Sequence, residues 1–307
     1  MAKPQLKPMM TKLFKRLVAP FAALLALGTT SADAKPPQAA HPALWEVSDA
    51  DTTIYLFGTI HLLPDDLQWR TPTFDQAVAS SQQLVVETIV NQQDLQSIRN
   101  AEFQLRFGKK LPPIAQRVPP AKLPLLRKAI AKSGIPEKML DQMDTWLAAI
   151  SLLGVQFQEL GLKGSHGPEE ILRQQFLSAN KPIGELESNV EQFGYFDRLP
   201  ESAQRSLLEG AIEPAAMASQ EFAQMLGPWG RGDVKRIGAT FNKEFKDSPE
   251  LKQALLIQRN AHWAKWIEQR MAQPGTIMVA VGAGHLAGDS SVLEILKRDG
   301  YRIKRLQ

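Results

Sequence analysis

The feature that most constrains this chain is a matched pair of segments near its two ends. Tyr55-Leu56-Phe57-Gly58-Thr59-Ile60-His61 and Val279-Ala280-Val281-Gly282-Ala283-Gly284-His285 each carry an apolar run into a glycine, with a histidine three residues on. Glycine permits a tight turn, which puts each imidazole just beyond the carboxyl end of a strand. In open α/β sheets that edge is where ligands bind. A single such histidine is an ordinary structural hydrogen-bonder. Two copies in the same setting point to one sheet fed by both ends of the chain and to a composite site.

The intervening pattern is consistent with this. Ala43–Val47 and Thr53–Phe57, separated by Ser48-Asp49-Ala50-Asp51-Thr52, read as a β-hairpin. A short helix over Thr73–Ser81 then leads to a buried strand over Gln83–Ile89, which suggests a parallel βαβ unit. The far end predicts a long helix Pro249–Ala272, a strand Thr276–Val281, a helix Ser290–Arg298 and a strand Tyr301–Leu306. Between the two ends, Met139, Met143, Trp146, Leu147, Ile150, Leu153 and Phe157 recur at helical spacing and read as core. Helical patterns also cover Ala121–Lys132, Glu169–Ala179, Ser202–Leu226 and Gly232–Phe245, with one short strand near Lys181–Leu186. The expected fold class is α/β: a central mixed sheet built from N- and C-terminal strands, with a largely helical middle.

Lys3, Lys7, Lys12, Lys15 and Arg16 precede an apolar run Leu17–Leu27 and Ala32-Asp33-Ala34, the order of a secretory signal peptide cleaved after Ala34. The run is shorter than the roughly 20 residues a membrane-spanning helix needs. The expected organisation is a signal peptide over 1–34, a flexible lead over 35–42 and a single domain over 43–307, periplasmic or secreted and without a stable membrane anchor. The signal segment holds five of the 36 Lys+Arg and one of the 32 Asp+Glu, so the remainder is formally neutral. The basic isoelectric point therefore belongs to the leader and gives no reason to expect nucleic acid. With no cysteine, the chain has neither a disulfide framework nor a lipid-modified cysteine.

Glu87 ends the strand after the first motif, so its carboxylate can open onto the same edge as His61. Glu185 and Glu187 end the short middle strand and raise the same possibility, with one expected to face inward and the other away. Arg259 lies on the long C-terminal helix, and its guanidinium fork could hold a carboxylate or stabilise developing negative charge. Two histidines with one or two carboxylates are the ligand types of an open divalent metal site. Without metal the same set can work as general base and electrostatic stabiliser; the residues leave both open. His41, His166 and His262 follow no strand and read as structural or surface residues. Gly282-Ala283-Gly284-His285-Leu286-Ala287 fits a dinucleotide fingerprint, but Lys304 stands where that fold wants an acid. H-E-x-x-H, Walker A and G-x-S-x-G signatures are absent.

Taken together, Gly58-Thr59-Ile60-His61-Leu62, Val86-Glu87, Leu186-Glu187, Arg259-Asn260 and Val281-Gly282-Ala283-Gly284-His285-Leu286 resemble the TraB/GumN/TIKI family across nearly the whole mature chain. The resemblance implies a fold related to erythromycin esterase-like and haem-binding ChaN-like proteins. It also implies the activity of TIKI members, divalent-metal-dependent proteases favouring manganese or cobalt that clip N-terminal segments from secreted proteins. His61 and His285 fall on the motif histidines, Glu87 on the family glutamate and Arg259 on the family arginine. Where the family shows Gly-x-Asp, this chain has Gly167-Pro168-Glu169, one methylene longer. The leading expectation is a metal-dependent hydrolase acting on exported peptides or proteins in the cell envelope. In it His61, Glu87 and His285 bind metal or activate water, Arg259 stabilises the oxyanion or anchors substrate, and Glu187, Glu169 and Asn260 support the site. The alternatives are a non-catalytic envelope protein that binds a small molecule, haem or a peptide, and an accessory factor that acts by interaction.

Overall fold

A computed structural model of the chain describes residues 39–64, 67–89, 111–159 and 167–307. The expected leader over 1–34, most of the flexible lead and His166 lie outside the described residues.

The hairpin forms as expected. Strands β1 (Leu44–Ser48) and β2 (Thr52–Thr59) pair antiparallel, with Leu44 opposite Phe57. Asp49 closes the turn by accepting the Thr52 amide at 2.8 Å. Helix α1 (Pro72–Ser80) starts on the Thr71 hydroxyl, which accepts the Phe74 amide, and has proline in its first turn, where no N–H is missed. It leads to β3 (Gln83–Val86).

The middle is helical: α2 (Leu123–Ser133), α3 (Glu137–Asp141), α4 (Thr145–Glu159) and α5 (Pro168–Ser178) come first. After the short strand β4 (Ile183–Glu185) follow α6 (Asn189–Asp197), α7 (Glu201–Ala211), α8 (Ala215–Gly230) and α9 (Val234–Glu244). The single helix expected over Ser202–Leu226 is two, because Pro214 has no N–H to continue α7 and instead begins α8. The Met139–Phe157 stripe is likewise split between α3 and α4, although its Met143, Trp146, Leu147, Ile150, Leu153 and Phe157 all enter the core.

The last third gives α10 (Pro249–Lys252), one widened π-helical turn over Gln253–Ile257, α11 (Gln258–Met271), β5 (Gly275–Gly282), α12 (Val292–Arg298) and β6 (Ile303–Arg305). The long C-terminal helix is thus continuous through its wide turn, a feature often found beside functional sites.

The six strands form one mixed sheet in the order β4-β3-β5-β2-β1-β6. β2, β5, β3 and β4 run parallel, whereas β1 is antiparallel to both β2 and β6. β2 and β3 are parallel as the βαβ reading required, but β5 from the far end is inserted between them. Alternation along the strands supplies two apolar faces. Phe57, Met278, Ala280, Leu84 and Val86 pack on one side against Phe74, Phe176 and Trp229. Ile54, Leu56, Ile277, Val279, Val281 and Val85 pack on the other against Trp263, Ile267 and Leu296 of α11 and α12. A third cluster around Trp146 and Leu208 belongs to the helical middle. Among the described residues no helix is long and apolar enough to cross a membrane.

Candidate functional site

The register of β2 on β5 sets Gly58 beside Val281 and Thr59 beside Gly282, so the two motifs leave the sheet side by side at one edge. The motif glycines act differently from the expected tight turn: β2 runs straight through Gly58, and neither Gly58 nor Gly282 has a positive φ. Their role is close approach. A Cβ on Gly58 would lie 3.1 Å from the Ala283 Cα, inside the second motif. A Cβ on Gly282 would lie 3.1 Å from Glu87 Oε1, 3.6 Å from His285 Cδ2 and 3.9 Å from His61 Nε2. The absent side chain of Gly282 is therefore what lets Glu87, His285 and His61 converge on its backbone.

Glu87 is buried at the end of β3. Its Oε1 accepts the Gly282 amide at 2.7 Å, and its Oε2 accepts Arg259 Nη2 at 2.6 Å. Arg259 also donates to both oxygens of buried Glu187, from Nη2 at 2.6 Å and Nε at 3.1 Å. Its Nη1 donates to the Leu255 carbonyl at 3.3 Å and faces His285 Nε2 at 3.2 Å. All five guanidinium N–H groups thus have acceptors. Glu187 takes a further bond from Gln192 at 3.2 Å. Glu185, by contrast, is exposed and accepts the Ile89 amide at 2.6 Å; residues two apart share a face within a strand, so the two glutamates part because β4 ends at Glu185 and the chain turns before Glu187.

Asn260 fixes the tautomer of His285. The Asn260 amide nitrogen donates to the Ser290 carbonyl at 2.7 Å, so its oxygen faces His285 Nδ1 at 2.6 Å. Nδ1 must then carry the proton, and the bare Nε2 accepts from Arg259. Burial first, and the Arg259 charge second, push the His285 pKa down to about 3, against the opposing pull of Glu87. His285 is a neutral imidazole.

His61 is held in the opposite sense. Its Nδ1 contacts Glu169 Oε1, which also accepts the Thr59 hydroxyl. The longer glutamate in Gly167-Pro168-Glu169 therefore reaches the histidine. Burial pushes the His61 pKa down, but the charge and hydrogen bond of Glu169, with the charge of Glu87, outweigh it and leave it raised. Its Nε2 is buried without a hydrogen-bond partner, near Gly282. Burial would raise the Glu87 pKa, yet Arg259, then His285 and His61, bring it down to about 2. Burial raises that of Glu187 despite Arg259, and for Arg259 the two carboxylates outweigh burial and raise it.

The structure thus brings together His61, Glu87, Glu169, Glu187, Arg259, Asn260 and His285. His41 and His262 are exposed away from the cluster, His262 standing 3.5 Å from the Tyr195 hydroxyl. Sequence reading missed Thr59, Gln192 and Trp263, whose indole lies 4.3 Å from the His285 ring and 4.6 Å from the Arg259 guanidinium. Thr59 was visible inside the first motif. Trp263 stood one helical turn after Arg259.

As the side chains stand, the trio His61, Glu87 and His285 does not fit a three-ligand metal site. His285 Nε2 has one lone pair, and it is turned to an Arg259 N–H. Among the described residues no group of three or more His, Cys, Asp or Glu is placed to hold a metal ion. His61 Nε2 and Glu87 Oε1 keep acceptor capacity.

Fold and site define an α/β protein with a buried, guanidinium-centred ionic cluster at the carboxyl edge of its sheet, flanked by two histidines whose pKa values shift in opposite directions. The chain belongs to the TraB/PrgY/gumN family, whose sequence profile matches residues 43–305. It is 24% identical over 256 residues to the uncharacterized protein YbaP of Escherichia coli K12, covering 83% of this chain and 92% of the relative. The Shigella flexneri protein of the same name is 25% identical over 243 residues, covering 79% and 87%. No solved structure matches.

Proposed function

We propose that this chain is a hydrolase of peptide bonds in exported polypeptides, with His61 as its general base. The observation that carries the reading is the His61 ring: Nδ1 tied to Glu169, and Nε2 buried, unpartnered and close to Gly282. A carboxylate that holds Nδ1–H leaves the Nε2 lone pair free to take a proton from water. That water would attack a carbonyl placed beside Gly282, and the protonated His61 would return its proton to the departing amine as the C–N bond breaks. Neutral His285, with its bare Nε2 locked on Arg259, is a fixed dipole and takes no proton above pH ~3. Arg259 has no N–H left for substrate, so it acts through its charge and by holding Glu87 and Glu187 in place. The raised His61 pKa means that the base form appears only as pH rises through that value.

A second reading rests on the same free Nε2: His61 and Glu87 hold a divalent ion, Mn2+ or Co2+ by family resemblance. Such an ion would supply a Lewis acid and lower the pKa of a bound water. Export to the periplasm or beyond, with an envelope peptide or protein as substrate, follows from the leader-like N-terminus and belongs to the same proposal.

The test incubates residues 35–307 with a library of unfolded envelope polypeptides, with and without EDTA and added Mn2+, alongside His61→Ala and Glu169→Gln. Binding of Mn2+ is read separately by calorimetry. Cleavage that rises with pH, resists EDTA and disappears in His61→Ala supports the base mechanism. Cleavage that needs the metal, with binding lost in both His61→Ala and Glu87→Gln, supports the second reading. Saturable ligand binding without turnover under every condition overturns both in favour of a non-catalytic binding protein.

A further inference from the structure

The Arg259 guanidinium does not lie among acceptors alone. Its Cζ stands 4.6 Å from the centre of the Trp263 ring and 5.8 Å from that of Tyr195. The same indole lies 4.3 Å from the His285 ring at an interplanar angle of 46°. One side chain thus touches both partners of the Arg259–His285 contact. Trp263 is only 1% exposed, and it projects from α11 one turn after Arg259 and just under one turn after Asn260.

Two comparisons separate this contact from ordinary core filling. The first is with Arg117, also 1% exposed. It is held by the carbonyls of Pro112, Asp141 and Met143, with no aromatic ring recorded against it among the described residues. A buried arginine in this fold therefore does not need a ring. The second lies within Trp263 itself, whose indole Nε1, like that of Trp146, is buried without a hydrogen-bond partner. An unsatisfied buried donor is unfavourable, and phenylalanine would fill much of the same space without it. What tryptophan adds is the largest and most electron-rich face, the best of the aromatic partners for a cation.

We infer that Trp263 is the positioning residue of the site: its indole face holds the Arg259 guanidinium flat. In that orientation one fork reaches Glu87, Glu187 and His285 at once. The acceptors fix the in-plane directions of the five N–H groups, and the ring packs against the guanidinium face. The ring removes the freedom to rotate out of the His285 contact. The assignment concerns the organisation of the resting site and does not rest on the hydrolase reading.

The experiment uses 15N-labelled mature protein at pH 7 and reads two NMR signatures that a merely structural role would not move. These are solvent exchange of the Arg259 side-chain N–H groups and the tautomer of His285. Wild type keeps slowly exchanging Arg259 signals and an Nδ1–H His285, and Trp263→Phe, whose ring face is weaker, falls between wild type and Trp263→Leu. Folded Trp263→Leu exchanges at Arg259 at least about tenfold faster, the scale of a lost desolvated cation–aromatic contact, and its His285 becomes a mixture of tautomers. Because a leucine variant can fail to fold, a second arm replaces the chain's six tryptophans with mono-, di- and trifluorotryptophan, which keep the ring's shape while draining its face. Arg259 exchange then accelerates stepwise with fluorine number. The inference is overturned if folded Trp263→Leu keeps both signatures, if Trp263→Phe loses them as fully as Trp263→Leu, or if fluorination leaves Arg259 exchange unchanged.

Discussion

Replacing Arg259 by methionine removes the charge shared by two buried carboxylates while keeping most of the side chain's volume. Glu87 and Glu187 are each 5% exposed, and both lose their short bonds to Nη2. Removing one partner of a buried ion pair costs about 3–5 kcal/mol, because the remaining charge is left uncompensated. Against the ~5–15 kcal/mol that hold a domain folded, this is a large loss. At ~2–4 °C per kcal/mol for a chain approaching this size, the melting midpoint should fall by roughly 6–20 °C at pH 8.

The pH dependence distinguishes this cause from a simple packing defect. In wild type Arg259 helps hold Glu87 at about 2. In Arg259→Met burial is opposed at Glu87 only by the two histidines and the Gly282 amide, so its pKa rises above its unfolded value near 4.5, and that of Glu187, already raised by burial, rises further. Between the unfolded and the raised values the folded variant binds more protons than the unfolded chain, so its stability falls as pH rises. The deficit relative to wild type should therefore grow from pH 5 to pH 8. Adding Glu87→Gln and Glu187→Gln should recover much of it. Urea unfolding at pH 5, 6, 7 and 8 measures the deficit directly. A loss below ~1 kcal/mol at pH 8, or a deficit that stays flat across the series, would refute the reasoning.

Three further outcomes follow from the same geometry. His285 has a folded pKa near 3 against about 6.5 unfolded, so its effect on stability is complete above pH 6.5 and is lost as pH falls toward 3. Between pH 7 and pH 5 it accounts for up to about 2 kcal/mol of wild-type stability loss, and His285→Gln should show a correspondingly flatter profile in urea unfolding. Gly58→Ala forces a methyl to 3.1 Å from the Ala283 Cα and should cost about 1–3 kcal/mol, measurable as a lowered denaturation midpoint. Glu169→Gln removes the charge that raises His61, so the His61 pKa should fall, as read by NMR titration, with little change in fold.

The strand pattern made the sheet legible because β2, β3 and β5 alternate or run apolar over several residues, and periodicity reports burial directly. Strand order was not legible: nothing local to Gln83–Val86 or Gly275–Gly282 says that β5 enters between β2 and β3. Helix breaks were underestimated where a single proline, Pro214, outweighed a long apolar stripe. At the site, His61, Glu87, Glu187, Arg259 and His285 could be named because each ends a strand or belongs to a recognisable block. Their division of labour could not. The two motifs read alike in sequence, and they differ only because Glu169 arrives at one histidine while Asn260 and Arg259 arrive at the other, contacts between residues far apart in the chain.

That difference between the two histidines is the centre of the account, and a histidine side-chain NMR titration of the mature protein tests it most directly, with His61→Ala and His285→Ala to assign the signals. The account predicts one ring that stays neutral with its proton on Nδ1 from pH 8 down to at least pH 4, assigned to His285, and a second, His61, that titrates above 6.5. Two motif histidines titrating together near 6.5, or His285 protonating first as pH falls, would contradict it.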